Sequence, residues 1–493
     1  MEERDIGEIP LAELLARYPP RDSPGEKERI ETLLAGGLKK NTRKIIVLDD
    51  DPTGVQTVHG VSVYTGWDAA SIEAGFEEPG PLFFILTNSR GLTAEESARV
   101  HAEIGKTICA GAAKKNRDFI IISRSDSTLR GHYPLETQVL RRVIEEESGR
   151  VFDGEIICPF FKEGGRYTAE NIHYVLMGEK LLPAAGTEFA RDKTFGYAHS
   201  DLCSWVEEKT AGEFSRDRII SLSLRELRSP GADAAVGALT EKLLKVRNFD
   251  KVILNALDYR DVRIFGAAFF QALDRGKRFL IRSAAALPKV LGGIPDRPLL
   301  TREDLIHGTN RRGGLIVIGS HVQKTTRQLE RLLEDCPAEA VMFDTHLVTD
   351  EDKFTKETER VRRLANDALE TGKTTVIFTN RKRFDLNTGD KEDELRVAKK
   401  IAAAVTSFVS TLRGKPRFII AKGGITSSEI GTLALGVKKA LVLGQVLPGI
   451  PVWLTGPESR FPNMPYIIFP GNVGDEDSLK EIAAMLAETQ GGA

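Results

Sequence analysis

Short apolar runs alternate with longer amphipathic stretches along most of the chain. In the first half the apolar runs cover residues 44–49, 61–66, 81–87, 119–123, 154–160, 251–256 and 278–283. In the second half they cover residues 314–320, 340–345, 374–380, 417–424, 439–444 and 466–472. Such runs predict strands, and the helical periodicity between several of them predicts crossover helices. We therefore expect an α/β fold with two domains, each a mainly parallel sheet flanked by helices, with a cleft between them.

The composition of the chain changes at two places. A proline-interrupted segment precedes the first strand, and a stretch rich in glycine, proline and charge separates the two series of strands. Segments of this kind are typical of extensions and linkers. We therefore predict an N-terminal extension, a first domain, a linker and a second domain, which cover residues 1–42, 43–290, 291–312 and 313–493.

Composition and charge exclude several classes of function. The formal net charge is −2, so there is no electrostatic case for binding nucleic acid. No apolar stretch reaches the length of a membrane span, and the acidic N-terminus is unlike a secretory signal. The four cysteines are far apart, which argues against a zinc site and a disulfide framework. We expect a cytoplasmic protein that acts on small molecules, and a homodimer is compatible with these observations.

Polar clusters directly after strands are the candidate sites, because open α/β sheets bind ligands at the carboxyl ends of their strands. In the first domain, Asp49, Asp50 and Asp51 follow the first apolar run without interruption. The cluster "RSDSTLRG" at residues 124–131 follows a later run. Arginine binds a carboxylate bidentately, and Asp and Ser bind hydroxyls. These clusters predict a site for a polyhydroxylated acid, to which we add Asn88, Ser89, Arg90 and Arg166 from neighbouring loops.

In the second domain, "RFIIAKGGITSSEIG" places two glycines between a strand and a helix. We expect the helix to begin near Thr426 or Ser427, with Thr426 and Glu429 at the spacing of a capping box. The free amides of such a first turn, from Ile425 onward, bind phosphate, and Lys422 and the hydroxyls of Thr426, Ser427 and Ser428 are expected to add contacts. The alternative is a tight strand-to-helix turn with a good cap.

The acidic triplet at residues 49–51 also allows a different function. Asp49, Asp51 and Thr53 spell D-x-D-x-T after a strand, which resembles the first motif of the haloacid dehalogenase-type phosphatases. In that family the first Asp is the nucleophile and the second is a general acid. The acidic stretch that would complete the site, at residues 474–477, lies in the other half of the chain. This interpretation also gives no role to the clusters at residues 124–131 and 422–427.

A second resemblance accounts for more of the chain. The ordered motifs "DDDPTGVQT", "TNSR", "SRSDSTLRG", "CPFFKEGGRYT", "GSHVQKTTRQ", "AKGGITSSEIG", "LPGIPVW" and "FPGNVG" resemble those of the four-carbon acid sugar kinase family, from about residue 44 to residue 478. The resemblance implies an N-terminal domain for the acid sugar and a C-terminal domain for the nucleotide. It also implies phosphoryl transfer from ATP, with Mg²⁺, to a hydroxyl of the acid. A third possibility is a sensor that binds the same ligands without turnover.

The family's motifs fall on particular residues of this chain. Its substrate motifs fall on Asp50, Asp51, Thr53, Gly54, Asp126, Ser127, Thr128, Arg130 and Gly131. Its nucleotide motifs fall on Gly319, Ser320, Gly423, Gly424, Thr426, Ser427, Gly471, Asn472 and Gly474. Asp51 or Asp126 is then the expected base, and no residue is assigned as a metal ligand. The chain departs from the family at Phe469 and Pro470, where most members carry Lys and Ser.

Overall fold

The computed structural model of the protein describes residues 7–19, 24–382, 384, 386, 391–471 and 473–487. The chain forms two compact units. Unit 1 contains the described residues up to Val58 together with Gly66–Asp296, and unit 2 contains His59–Thr65 together with the described residues from Arg297 onward. A short piece of the first half therefore belongs to the second unit.

The strands are numbered along the chain. They are β1 (Ile9–Pro10), β2 (Lys44–Asp49), β3 (Val61–Tyr64), β4 (Leu82–Leu86), β5 (Phe119–Arg124), β6 (Gly154–Cys158), β7 (Arg166–Ala169), β8 (Ile172–Met177), β9 (Lys180–Pro183), β10 (Ile220–Leu222), β11 (Asp250–Leu254), β12 (Phe279–Ser283), β13 (Leu315–Ile318), β14 (Ala338–Phe343), β15 (Thr374–Thr379), β16 (Ile419–Lys422), β17 (Lys439–Leu447), β18 (Ile450–Thr455) and β19 (Pro465–Phe469).

The α-helices are numbered in the same way. They are α1 (Leu11–Arg17), α2 (Pro24–Lys40), α3 (Ala69–Glu77), α4 (Ala94–Lys114), α5 (Leu135–Ser148), α6 (Leu202–Lys209), α7 (Leu224–Leu227), α8 (Ala232–Leu244), α9 (Tyr259–Asp274), α10 (Ala286–Leu291), α11 (Arg302–Leu305), α12 (Gln323–Asp335), α13 (Glu351–Glu370), α14 (Lys391–Ser410), α15 (Gly424–Glu429) and α16 (Ser478–Ala487). Of these described helices, none is at once long and apolar enough to cross a membrane.

Unit 1 is built on a parallel sheet with the strand order β10-β11-β6-β12-β5-β2-β4. Within this sheet, the first strand added after β2 is β4, on one side of it, and the next is β5, on the other side. This reversal makes the carboxyl ends of β2 and β5 a topological switch point, where such sheets bind ligands. Asp49 lies opposite Arg124 in the register of these two strands, so the acidic triplet and the 124–131 cluster start side by side.

The central strand β2 is buried at every position, as expected for a parallel strand covered on both faces. Its first residue, Lys44, is accommodated because its ammonium donates hydrogen bonds to the carbonyls of Glu78 and Gly80, at 2.7 and 2.6 Å. A second, antiparallel sheet of unit 1 has the order β1-β9-β8-β7. The sequence pattern did not predict these strands, which are short and carry polar residues among apolar ones.

Unit 2 contains the strand order β3-β17-β18-β19-β16-β13-β15-β14. Strands β14, β15, β13, β16 and β19 are parallel, and β18, β17 and β3 extend the sheet antiparallel. The chain leaves β13 toward β14 and β15 on one side and returns to β16 on the other. The switch point of unit 2 therefore lies between the carboxyl ends of β13 and β16.

The predicted α/β class with two domains is confirmed, while the cleft between the domains stays a prediction. The segment predicted as a linker contributes Leu300 and Leu305, which are both 3% exposed, to the core of unit 2. The segment predicted as an N-terminal extension contains α2, which packs on α9 with Leu34 against Gly266 and Gly37 against Phe270.

Two adjacent glycines of α2 offer a matched test of this packing. A Cβ atom at Gly36 would meet nothing within 4 Å, whereas one at Gly37 would lie 2.8 Å from the Cβ of Phe270. We expect Gly36→Ala to raise the free energy of unfolding by about 0.5–1 kcal/mol through helix propensity. Gly37→Ala should lower it by about 1–3 kcal/mol through overpacking. Urea unfolding of both variants measures the difference, and equal effects would contradict the packing of α2 on α9.

Candidate functional site

The three consecutive carboxylates at the end of β2 are balanced by Arg124, the last residue of β5, and by Arg90 in the turn that follows β4. Asp49 accepts a hydrogen bond from Arg124 at 3.2 Å. Asp50 is bound bidentately by Arg90, whose Nη2 and Nε lie 2.6 and 3.2 Å from its two oxygens. Arg90 also lies 3.4 Å from Asp51. Fixed positive charge therefore offsets the repulsion within the triplet, and protonation of the buried Asp49 reduces it further.

Asp49 is closed off from solvent. It is 1% exposed, and a Cβ atom at Gly54 would lie only 2.0 Å from its Oδ1. The lack of a side chain at Gly54 is therefore what leaves room for this carboxylate. Burial raises the pKa of Asp49 to about 8, against the opposing effect of Arg124. A carboxylate in this position supports the loop and is poorly placed to react with a ligand.

Asp50 is also committed to the protein. It is 3% exposed and accepts a hydrogen bond from Ser125 Oγ at 2.8 Å, and Arg282 donates in turn to Ser125 at 2.9 Å. Burial opposes the ionisation of Asp50, but Arg90 outweighs it, so the pKa of Asp50 is lowered. Arg282 continues the network to the buried Glu136 at 3.3 Å.

Asp51 differs from its two neighbours. Its side chain is 13% exposed, and its Oδ1 accepts a hydrogen bond from the backbone amide of Thr53 at 2.8 Å. This contact fixes the turn after β2 and leaves the carboxylate more accessible than those of Asp49 and Asp50. Thr53 itself is 7% exposed.

Asp126 lies on the loop that follows β5, across the switch point of unit 1. It accepts hydrogen bonds from Thr128 Oγ1 and from Arg130 Nε, the latter at 2.7 Å. Burial disfavours its ionised form, but Arg130 and Arg90 together lower the pKa of Asp126 far below its usual value. Asp126 is therefore held ionised in a fixed orientation, which suits it to accept hydrogen bonds from a ligand.

The loop around Asp126 has a strained backbone that other elements hold in place. Leu129 has a φ of +68°, which is rare for a bulky residue. His173 on β8 donates from Nε2 to the carbonyl of Ser127 at 2.8 Å, and Tyr197 donates to the carbonyl of Thr128 at the same distance. Burial lowers the pKa of His173 to about 4, so the ring is neutral. No sequence motif marks His173 or Tyr197, so these two supports could not be predicted from the sequence.

Arg166, the first residue of β7, differs from Arg90 and Arg130 in its contacts with carboxylates. It is 8% exposed, and among the described residues it forms no ion pair with a carboxylate. One guanidinium nitrogen donates to the carbonyl of Gly164, and its buried Nε has no hydrogen-bond partner in the described structure. Its guanidinium lies 5.6 Å from the centre of the Phe189 ring, which Arg130 also faces at 5.0 Å. Burial lowers the pKa of Arg166, and the charge of Asp126 offsets this without forming an ion pair. A buried guanidinium that no carboxylate contacts directly is costly, so this one is suited to an acidic ligand.

The remaining predicted residues of unit 1 take different positions. Asn88 adopts a left-handed conformation, with φ +53°, at the end of β4. Ser89 is fully buried and donates to Glu136 at 2.6 Å, so its hydroxyl is turned into the protein. Ser127 is 7% exposed, and the hydroxyl of Thr128 is used by Asp126. The structure thus brings Asp51, Asp126 and several arginines to one end of the sheet, and it uses Ser89 internally.

In unit 2, the loops that follow β13, β16 and β19 converge closely. A Cβ atom at Gly319 would lie 2.2 Å from Thr426 Oγ1, and one at Gly423 would lie 3.2 Å from the Cβ of Ser320. A Cβ atom at Gly471 would lie 3.3 Å from Ser320 Oγ. Gly423 also has a φ of +115°, which favours glycine. Glycines are needed here for the backbones to approach each other, as in loops that bind phosphates.

The start of α15 differs from the sequence expectation. The helix begins at Gly424 and has six residues, followed by a π turn over Ile430–Ala434. The predicted capping box is wrong, because Gly423 is the N-cap and Glu429 accepts instead from Thr406 at 3.0 Å. Ser427 is fully buried, and its hydroxyl donates to the carbonyl of Ala421 at 2.8 Å.

Lys422 lies fully buried at the end of β16. Its ammonium donates to the carbonyl of Pro470 at 2.7 Å and lies 3.8 Å from the centre of the Phe469 ring, its neighbour in register. Burial lowers the pKa of Lys422, and Lys324 lowers it further. Phe469 and Pro470, the two departures from the family motif, are thus the direct partners of this lysine.

The last predicted nucleotide residues lie near the same loops, with one exception. Gly474 has a φ of +80°, and its carbonyl accepts from Lys324 at 3.1 Å. Ile425 is 67% exposed, which is unusual for an apolar residue beside polar loops. Asn472 lies outside the described residues.

Within the described part of the chain, no three His, Cys, Asp or Glu side chains cluster so as to hold a metal ion. Mg²⁺ does not require such a cage, since it keeps several waters and takes its other ligands from substrate phosphates and one or two carboxylates.

Two families of domains match the chain. A family described as a sugar-binding N-terminal domain matches residues 45–291. A family described as a nucleotide-binding C-terminal domain matches residues 315–479. No protein with a curated description matches the chain.

Two solved structures have a similar fold. A Haemophilus influenzae protein from a family of unknown function is 16% identical, with a TM-score of 0.57, over 90% of this chain and 100% of that chain. A Salmonella typhimurium LT2 protein, described as a candidate tRNA synthase, is 17% identical, with a TM-score of 0.61, over 90% of this chain and 98% of that chain. At such identities the likeness shows the fold alone.

The buried position of Asp49 predicts a pH dependence of stability. Its pKa is about 8 in the folded protein and about 3.9 in an unfolded chain. The folded state therefore binds the proton more tightly, so the contribution of Asp49 to stability is complete below about pH 4 and is lost as the pH rises toward 8. Asp49→Asn removes this loss. We expect the stability of the wild type relative to Asp49→Asn to fall by about 1 kcal/mol or more between pH 5 and pH 8.

Urea unfolding at the two pH values measures this change, and the exposed Asp217→Asn serves as the control that should follow the wild type. A constant difference between the wild type and Asp49→Asn, or one that grows with pH, would contradict the buried, proton-binding state of Asp49.

Proposed function

The chain belongs to the four-carbon acid sugar kinase family, and from this membership we propose that it is an ATP-dependent kinase that phosphorylates a hydroxyl of a small acid sugar with four carbons. Family membership supports a sugar-binding first domain and a nucleotide-binding second domain. The observation that carries the acid as substrate is Arg166, a buried guanidinium without a carboxylate partner among the described residues.

Arg166 is the best candidate to hold the carboxylate of the acid sugar. Of the three arginines expected from the sequence, Arg90 is occupied by Asp50 and Asp51, and Arg130 is occupied by Asp126 and Asp192. Arg166 alone of these three lacks such a partner in the described structure. A carboxylate bound there would compensate a buried charge and would be held in a defined orientation.

Asp51 is the better candidate for the base. A base must accept a proton from the substrate hydroxyl. The strongly lowered pKa of Asp126 makes that carboxylate a weak proton acceptor. The Asp51 side chain is 13% exposed, close to the 10% of Asp126, but it is held more loosely, by the Thr53 amide at 2.8 Å and by Arg90 at 3.4 Å. We assign Asp51 to deprotonate the reacting hydroxyl, and Asp126 to orient the hydroxyls by accepting hydrogen bonds.

Unit 2 is the expected site of the nucleotide. Gly319, Gly423 and Gly471 let the loops after β13, β16 and β19 approach closely, as glycines do in phosphate loops. The amides of Gly319 and Gly423 donate to the carbonyls of Lys422 and Phe469, so the phosphates are expected at the amides that follow Gly424. ATP supplies the phosphoryl group, and Mg²⁺ neutralises its charge. Ser320 and Lys422 flank these loops and would position the phosphates. Transfer requires the two ligands to meet, for which the predicted cleft is needed.

The phosphatase alternative requires Asp49 to act as a nucleophile. Burial, the contact with Gly54 and the raised pKa of Asp49 all disfavour that role. A sensor without turnover would use the same ligand sites, and only an assay separates it from a kinase.

The kinase proposal is tested by incubating the protein with ATP, Mg²⁺ and a panel of four-carbon sugar acids. We expect ADP and a phosphorylated acid to form. Asp51→Asn should lower kcat by about 10²–10⁴-fold, since it removes the base, and should leave the affinity for ATP within about twofold. Asp217→Asn, at an exposed position of unit 1, is the control that should retain wild-type kcat.

Two other outcomes would contradict the proposal. Release of phosphate from sugar phosphates in the absence of ATP would indicate a phosphatase. Tight binding of the acid and of ATP without any product would indicate a sensor. Full activity of Asp51→Asn would refute the assignment of the base while leaving the kinase in place.

The role of Arg166 predicts a selective loss of affinity. We expect Arg166→Gln to weaken binding of the acid by about 10–100-fold, which corresponds to a lost charged hydrogen bond of about 1.5–3 kcal/mol. Binding of the matching neutral polyol should change by less than about threefold, because it has no carboxylate. Calorimetry with both ligands measures the two effects, and Arg218→Gln, at a side chain that is 70% exposed, is the control. An equal loss for both ligands would contradict a carboxylate contact.

A further inference from the structure

We propose that Arg381, which follows β15, binds the phosphate chain of the nucleotide in unit 2. The inference rests on the proposed function, because it presupposes that unit 2 binds a nucleotide. Neither the family motifs nor the spacing of the sequence points to this residue, which lies in the polar stretch "TNRKR" after an apolar run.

The position of Arg381 follows from the topology of the sheet. Strands β16, β13 and β15 are neighbours and are parallel. Their carboxyl ends are followed by Gly423, Ser320 and Arg381 respectively, so these residues lie along one edge of the sheet. This edge contains the switch point of unit 2, where a ligand is expected.

The contacts of Arg381 direct its side chain across the loop after β13. Its Nη2 donates to the carbonyl of Ser320 at 2.5 Å, and its Nε donates to Thr326 Oγ1, near the start of α12, at 3.2 Å. The preceding residue, Asn380, accepts at its carbonyl from His321 Nδ1 at 3.1 Å. The guanidinium is thus held beside Ser320 by two of its three nitrogens.

The third nitrogen of Arg381 is not used by the protein. Its Nη1 is buried and has no hydrogen-bond partner among the described residues. A buried donor of this kind is costly to leave without an acceptor, unless a ligand or a water satisfies it. Since the other two nitrogens fix the plane of the guanidinium, Nη1 is preoriented for an acceptor.

The surroundings of Arg381 favour an anion with several charges. Lys422 lies buried at the end of β16, and Lys324 is exposed on α12. The structure describes no ion pair with a carboxylate for either lysine or for Arg381, in contrast to Arg327 on the same helix, which pairs with Glu476 at 2.8 Å. Burial lowers the pKa of Arg381, and the charge of Glu330 on α12 opposes this effect. Arg381 and Lys324 are basic groups without a carboxylate ion pair among the described residues, which fits a polyphosphate, and an anion there would also favour the charged form of Lys422.

A purely structural role for Arg381, as a latch between two loops, makes a different prediction. A latch shapes the whole site, so its loss would weaken the binding of every ligand of that site. A phosphate contact affects only ligands that carry phosphates. Comparing ATP, inorganic triphosphate and adenosine therefore separates the two roles.

The test uses the full chain with Arg381→Gln, which removes the charge, and Arg381→Lys, which keeps it. Arg413→Gln is the control, because Arg413 is 58% exposed and pairs with Asp367 in the same unit. Dissociation constants are measured by calorimetry at constant ionic strength, and melting temperatures are recorded for each variant. We expect Arg381→Gln to weaken the binding of ATP and of inorganic triphosphate by about 10–100-fold, and the binding of adenosine by less than about threefold. Arg381→Lys should recover part of the loss.

Equal weakening of ATP, triphosphate and adenosine, or unchanged affinity for ATP, would overturn the role of Arg381 while leaving the kinase proposal intact. If the wild type binds neither ATP nor triphosphate, the proposed function itself is overturned, and the inference with it. A fall in melting temperature together with a selective loss of the phosphate ligands would still support the phosphate contact, because adenosine reports on the integrity of the site.

Discussion

The compensation of buried charge at the end of β2 is the constraint on which the first unit depends. Three adjacent carboxylates in a nearly dry position would each cost several kcal/mol without partners. Arg124 and Arg90 supply those partners. Asp49 and Asp50 are thereby used as scaffold, and Asp51 is left accessible. The same logic applied to the arginines leaves Arg166 without a described carboxylate. The charged side chains that the protein does not neutralise itself remain available to a ligand.

Both units solve the problem of presenting a site in the same way. In each unit, the strands that follow β2 or β13 are added first on one side of that strand and then on the other. This change in strand order leaves room for polar loops at the carboxyl ends. The first unit fills this place with acids and arginines, which suit a polyhydroxylated acid. The second fills it with glycines and cations, which suit phosphates. One topological rule thus yields two different chemistries, and the side chains at the strand ends decide which.

The strands and the polar clusters could be predicted from the sequence because both are local patterns. The apolar run 44–49 and the glycines after residue 422 are examples. The pairing of Asp49 with Arg124 could not be predicted, because the two residues are 75 positions apart. The same holds for His173, which supports Ser127 from the antiparallel sheet, and for Arg381 beside Ser320. The start of α15 was misplaced because Gly423, rather than a hydroxyl side chain, serves as its N-cap.

The central claim is that unit 1 leaves one guanidinium and one accessible carboxylate for an acid sugar. The most direct measurement is a crystal structure of the protein soaked with a four-carbon sugar acid. The account predicts that the carboxylate of the ligand lies within hydrogen-bond distance of Arg166, with a hydroxyl beside Asp51. A ligand bound through Arg90 or Arg130 with Arg166 uninvolved, or one that contacts Asp49, would contradict it.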